Sequence, residues 1–171
     1  GETFRLSIKG DDRWGNPSDR FAGKIKLKTN LPVIGLAEII DLKAGDFGAV
    51  IEGLSVESPG VLHLSVLDED DQLIATANPL VIRQADAAHF WSDMHAQSGE
   101  TIGVGTAREY FDFARNKAFL DIAGHQGNDF QITDAFWQHL NELTAEYNED
   151  NRFLTLPGYE WSGNTGLGGD H

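Results

Sequence analysis

The chain has 171 residues, enough for one full domain or for one small domain and part of another, and too few for two large ones. Its composition (40% hydrophobic, 23% charged, with 10 Phe and 4 Trp) excludes a disordered chain. The formal charge of −14, with no basic patch against it, argues against nucleic-acid and anionic-lipid partners; zero cysteines exclude a disulfide scaffold, a Cys-ligated zinc finger, an iron–sulfur cluster and a cysteine nucleophile.

No apolar run approaches the ~20 residues of a membrane-spanning helix, and no signal-peptide pattern opens the sequence. A soluble protein is expected, with a cytoplasmic setting favoured. Gly1 in place of Met, and the stop at His171 directly after Gly169-Asp170, read as cuts in a longer polypeptide.

Residues 1–88 carry 9 basic and 14 acidic side chains, and residues 89–171 carry 4 and 13. The first half reads as all-β. Phe4–Ile8, Gly23–Lys28 and Leu62–Val66 each alternate apolar and polar residues with period two, as half-buried antiparallel strands do. Turn clusters separate them at Gly10–Asp12, Gly15–Ser18, Ser58–Gly60 and Asp68–Asp71. The acidic run Asp68–Asp71 lacks the spaced oxygen ligands of a calcium loop and reads as a solvated turn. Short strands with frequent turns predict an antiparallel β-sandwich over residues 1–88.

The period changes near residue 89. His89-Phe90-Trp91 leads a strand ending at His95. Thr106 and Glu109 have capping-box spacing and open a helix carrying Tyr110, Phe113, Ala114 and Lys117 on one stripe. Ala118–Ala123 follows as an apolar strand. Thr133 caps a second helix with Phe136, Leu140, Leu143 and Tyr147 on one stripe, and Phe153–Leu156 is a third strand. The order β-α-β-α-β predicts parallel strands with covering helices.

The candidate chemistry falls at the carboxyl ends of these strands, the rim where α/β architectures bind ligands. Asp93, His95 and Gln97 are two apart, so in extended chain all three point to one side. The second strand ends at Gly124-His125-Gln126-Gly127-Asn128-Asp129, and the third leads into Pro157-Gly158-Tyr159-Glu160-Trp161. A His, a His and a Glu delivered to one rim would suit Zn, Mn or Fe better than Mg or Ca. His63 and His139 read as outward-facing, and Trp137 and Trp161 as packing residues. Gly103-Val104-Gly105 before a helix N-terminus would suit an anion, although a plain loop is the simpler reading.

Three segments, Phe90–Thr101, Gly124–Asp129 and Leu156–Gly163, together resemble DUF3604, a bacterial family related to the PHP (polymerase and histidinol phosphatase) superfamily. The resemblance covers residues 89–171. It implies the first part, about three strands, of a distorted seven-stranded (β/α) barrel that binds up to three divalent metals and often hydrolyses phosphoesters. Asp93 and His95 match the Asp-x-His-x-His motif, with Gln97 at the second His. His125 matches a strand-ending His, although Gly124 stands where an Asp is usual. Gly158-Tyr159-Glu160 matches Gly-x-Glu, and His171 stands in about the place of a further His. More loosely, residues 1–88 resemble bacterial immunoglobulin-like sandwiches.

The resemblance implies a metal-dependent hydrolase, in the first instance a phosphoesterase. His95, His125, Glu160 and His171 would be metal ligands, and Asp93 and Asp129 catalytic residues that orient ligands or handle protons. The substrate would be a small molecule. The rest of the polypeptide is needed to complete the barrel, so this segment alone is expected to be inactive. The competing expectations are a carbohydrate- or protein-binding module on a degenerate barrel, and amide or other ester hydrolysis at the same centre.

Overall fold

The computed structural model describes residues 2–84, 87–165 and 168–170, with residues 164–165 and 168–170 described through the backbone alone. The chain is mostly β, with two α-helices among the described residues and several small sheets, and it divides into two compact units, residues 1–88 and 89–171.

The first unit contains β1 (Phe4–Lys9), β2 (Gly23–Thr29), β3 (Ile39–Leu42), β4 (Gly48–Leu54), β5 (Gly60–Leu62), β6 (Leu64–Leu67), β7 (Leu73–Thr76) and β8 (Leu80–Ile82). All its pairings are antiparallel: β1 with β4, β5 with β8, and a four-stranded sheet in the order β3-β2-β6-β7. Alternation along β2 buries Ile25 and Leu27 with Leu42, Leu64 and Val66. The run Leu62–Val66 is not one strand. It changes sheet at His63, where the Asn30 side chain accepts from His63 N–H at 2.7 Å and donates to Val61 C=O at 2.9 Å. In the turn after β6, Asp68 Oδ1 accepts from Asp70 and Gln72 N–H, and Asp71 pairs with Lys26 at 3.0 Å; these carboxylates serve the turn.

The second unit contains β9 (Ser92–Ala96), α1 (Ala107–Asn116), β10 (Ile122–His125), β11 (Gly127–Asn128), a 3-10 turn (Asp129–Gln131), α2 (Asp134–Tyr147), β12 (Leu154–Leu156), β13 (Tyr159–Glu160), β14 (Gly163–Thr165) and β15 (Gly168–Asp170). Strands β12, β10 and β9 form a parallel sheet in that order, and β11 and β13 continue it as a second parallel pair. Both helices pack on one face. Ala107, Phe111 and Ala114 of α1 and Leu140, Leu143 and Tyr147 of α2 share a core with Ala123 and Phe153.

Thr106 and Glu109 form a complete capping box at α1, and Thr133 caps α2 through Phe136 N–H. The expected stripe on α1 is rotated: Phe111 is fully buried against Tyr147 with ring centroids 5.6 Å apart, and Phe113 is exposed. The strand after α1 starts at Ile122, four residues later than expected. The chain must first reverse out of the helix, with Phe119 in the left-handed region at φ 55° and Leu120 N–H bonded to Ala114 C=O. Phe111→Ala should cost about 3–5 kcal/mol in a denaturant titration of the chain, and Phe113→Ala within about 1 kcal/mol of wild type. Equal losses would refute this assignment of the core face.

Candidate functional site

Strand β9 and the turn after it bring His95 and Gln97 to one carboxyl group, while Asp93 turns back onto its own strand. The pairing of β9 with β10 slips between Ala123 and His125, which oppose Asp93 and Ala96, so three residue steps on β9 match two on β10. The slip breaks the alternation. Asp93 Oδ1 turns back to accept His95 N–H at 3.1 Å, the His95 ring stands 78% exposed, and Gln97 lies just past the strand end.

Gln97 Nε2 donates to Glu160 Oε2 at 3.3 Å, and His95 Nε2 lies 3.8 Å from the same oxygen. Three side chains from β9, its following turn and β13 therefore meet at one carboxylate oxygen, on the carboxyl-end rim of the parallel strands. Gln97 Oε1 is buried with no hydrogen-bond partner. Two atoms 3.8 Å apart can both reach one divalent ion at ~2.1 Å, so His95 Nε2 and Glu160 Oε2 fit such an ion in spacing and donor chemistry, whereas Gln97 turns its amide N–H toward Glu160. Among the described residues, no group of three His, Cys, Asp or Glu side chains is spaced to hold a metal.

His125 is not at that point. Its side chain is fully buried on the helix side of the sheet, edge-on to Phe136 at 5.5 Å and near Tyr110 at 6.3 Å. Both ring nitrogens are engaged. Nδ1 accepts from Gly127 N–H at 3.2 Å, so the ring proton sits on Nε2 and is donated to Ser98 Oγ at 2.8 Å. Ser98 is itself fully buried and hydrogen-bonds Glu100. Burial holds the His125 ring below its ordinary pKa, partly opposed by the Glu100 charge. Burial pushes Glu100 up, but hydrogen bonds from Ser98, its own N–H and Ala107 N–H outweigh it, and its carboxyl lies below the usual range.

Among the described residues, Asp129 makes a local hydrogen bond. Asp129 Oδ1 accepts from Phe130 N–H at 2.8 Å and starts the 3-10 turn; its neighbour Asn128 is paired in register with Glu160. His171 lies outside the described residues. The loop Gly99–Gly105 is no anion cradle, because carboxylates already fill the N-terminus of α1: Glu100 accepts from Ala107 N–H at 3.2 Å and Glu109 from Thr106 N–H at 2.7 Å. Its glycines serve close packing, since a Cβ on Gly103 would lie 2.5 Å from the Gln97 carbonyl oxygen. Trp161 is 73% exposed and packs against little, contrary to expectation. Sequence reading missed Ser98, Glu100 and Tyr110, whose hydroxyl donates to the carbonyls of Asp93 (3.2 Å) and Gly124 (3.4 Å). Burial and desolvation by its surroundings raise the Tyr110 pKa, with the Asp93 charge adding to it.

The lowered His125 pKa has a definite sign in stability. Between the ordinary His value near 6.5 and the lower folded value, the unfolded chain binds the proton that the folded chain refuses, so stability falls as pH drops through that window. Glu100 acts in the same direction at lower pH, its contribution being lost as pH falls through its depressed pKa. The thermal midpoint should therefore decline from pH 7 to pH 5, and His125→Leu should flatten that decline while lowering the midpoint at pH 7. An unchanged slope in the variant would contradict the buried neutral ring.

The family model described as a protein of unknown function, DUF3604, matches residues 63–171. An uncharacterised protein of Chlamydia pneumoniae is 22% identical over 171 aligned residues, covering 97% of this chain and 27% of the relative. Uncharacterised proteins of Chlamydia trachomatis and Chlamydia muridarum are each 18% identical over 162 residues, covering 92% of this chain and 26% of the relative. The chain thus spans about a quarter of the length of these relatives. No solved structure matches it significantly.

Proposed function

The chain belongs to the DUF3604 family, and from that premise we propose that it forms part of a PHP-like, metal-dependent hydrolase acting on a phosphoester. One observation carries the reading: His95, Gln97 and Glu160 converge on a single point at the carboxyl-end rim of adjoining parallel strands, with a buried amide oxygen left over. His95 and Glu160 would hold a divalent ion there, with Gln97 steadying Glu160, and when bound the ion would supply Lewis acidity toward a phosphoryl oxygen and toward water.

The chain's own residues do the arranging. Glu160 brings its carboxyl group to the meeting point, and the amide N–H of Gln97 holds it in place. Asp93 fixes the backbone of His95, and with it the reach of the ring toward Glu160. Asp129, one residue beyond the strand partner of Glu160, is the candidate to exchange protons with solvent at the rim. The mechanism assigns no step to His125.

The architecture supports a larger assembly of strands. Thr155 is buried and bonds Thr144 C=O on α2, so Leu154 and Leu156 face away from the helices and are exposed. Met94, packed beside Gly124, is exposed on the same face. Parallel sheets are covered on both faces. In relatives about four times as long, residues outside this chain would supply the missing cover and further strands of a PHP-like barrel. Residues 1–88 would form an immunoglobulin-like sandwich, a reading supported by the antiparallel pairing of the described strands and the change of sheet at His63.

A second reading is a carbohydrate-binding module, favoured by exposed Tyr159 and Trp161 on either side of Glu160. Full-length protein purified without chelators separates the two. The hydrolase reading expects retained Zn, Mn or Fe and turnover of simple phosphomonoesters and diesters, with His95→Ala and Glu160→Ala each lowering kcat/KM about 100-fold or more. Absence of metal and turnover, together with firm glycan binding lost in Trp161→Ala, would replace it with the second.

A further inference from the structure

The turn between β1 and β2 carries a tryptophan that the core does not use. Asp12 organises this turn: its Oδ1 accepts from Trp14 N–H at 2.8 Å and Asn16 N–H at 2.9 Å, and its Oδ2 accepts from Asn16 Nδ2 at 3.1 Å. The main chain closes the same turn. Asp12 N–H donates to Asn16 C=O at 2.8 Å, Gly15 N–H to Asp12 C=O at 3.0 Å, and Asp11 and Pro17 form a bridge. Gly15 takes the left-handed step at φ 85°. Trp14, at the tip, is 71% exposed, and the Arg13 guanidinium lies 3.9 Å from the centre of its ring. The indole is therefore held on a closed turn, with a cation over one face and most of its surface in water.

Three features select a ligand. The indole is flanked by exposed Arg13, Gly15 and Asn16, whereas a protein hot spot is enclosed by contacts that exclude water. The Arg13 guanidinium has no ion pair or hydrogen bond among the described residues, so its N–H groups can donate outward. Charges at the turn cancel, since Lys9 pairs with Asp11 at 3.5 Å and Asp12 precedes Arg13, so nothing draws an anionic polymer to a chain of formal charge −14. An apolar face rimmed by hydrogen-bonding groups, without net charge, matches a pyranose ring. We infer that Trp14 and Arg13 form a glycan-binding subsite in the first unit. A ring of a neutral hexose polymer stacks on the indole, and its hydroxyls accept from Arg13 N–H groups. Because the closed turn fixes the indole beforehand, little ordering is left to oppose binding. This subsite uses neither the metal centre nor Tyr159 and Trp161.

The test is a titration of the nitrogen-15-labelled chain, read at the indole N–H signal of Trp14. The probes are the neutral hexasaccharides cellohexaose, maltohexaose and mannohexaose, with polygalacturonate as the anionic probe. One or more of the neutral sugars should shift the Trp14 signal and saturate it. Trp14→Ala should weaken binding of that sugar about 10-fold or more, and Trp14→Tyr should stay within about 3-fold of wild type, because a phenol ring also stacks. Arg13→Ala should weaken it about 3-fold, as loss of one exposed hydrogen-bonding group does. Trp161→Ala should leave it unchanged. Arg13 and Trp14 are exposed, so these variants keep the fold, which circular dichroism checks.

The outcomes separate. If none of the three neutral sugars moves the Trp14 signal, the proposal is overturned. Binding that survives in Trp14→Ala and disappears in Trp161→Ala moves the sugar site to the second unit and overturns it as well. Polygalacturonate binding more tightly than every neutral sugar overturns the neutral ligand. A Trp14 signal that moves with protein concentration alone makes the turn a contact between copies of the chain, and the subsite falls. Metal content and turnover are read independently of all these results, so this proposal and the hydrolase reading fail separately.

Discussion

The second unit depends on one hydrogen bond, from the buried imidazole of His125 to the buried hydroxyl of Ser98, 2.8 Å long. It lies in a polar chain running from Gly127 N–H through His125 and Ser98 to Glu100, and on to the N-terminus of α1 at Ala107. Each member satisfies the next, the condition under which a buried polar network adds rigidity without an unpaired group. The chain ties the end of β10, the turn after β9 and the start of α1 into one body. Removing Ser98 or His125 leaves a buried polar group of the other without its partner, whereas Glu100 is open to solvent.

That constraint decides what reaches the rim. With its nitrogens used inward, His125 stays neutral and cannot also face outward, so the meeting point keeps one imidazole, one carboxylate and one amide. His95 is exposed and its approach to Glu160 is loose at 3.8 Å, whereas Gln97 is held by a direct bond to Glu160 and by a tightly closed turn behind it. The rigid partner of Glu160 is thus the amide. Packing energy comes from the helix face of the sheet, where Phe111, Leu140 and Leu143 bury their side chains fully.

Much of the fold was legible in the sequence, because local rules act within a few residues. Period-two alternation marked β1 and β2, Thr106 and Glu109 announced the start of α1, and the stripe Leu140, Leu143, Tyr147 named the buried face of α2. What stayed hidden turns on register and on distant partners. Leu62–Val66 keeps its alternation while crossing between sheets at His63, so periodicity cannot reveal the break. Phe111 and Phe113 are equally apolar, and only the packing of Tyr147 selects between them. At the candidate site, spacing singled out His95 and Glu160, which lie 3.8 Å apart, while the slip in the pairing of β9 with β10 accompanies an Asp93 side chain turned back to His95 N–H. Ser98 is 27 residues from His125, and no spacing rule connects them.

The family match extends over both units, starting within the first at residue 63, while relatives continue far beyond the length of this chain. The most direct measurement of the central claim is the nitrogen chemical shifts of the His125 ring in the nitrogen-15-labelled protein at pH 7, before and after addition of Mn-free Zn. The expected result is a neutral ring with its proton on Nε2 and Nδ1 accepting, unchanged by Zn, while the His95 ring shifts. A proton on Nδ1, a charged ring, or a His125 shift on adding Zn that matches direct ligation would contradict it.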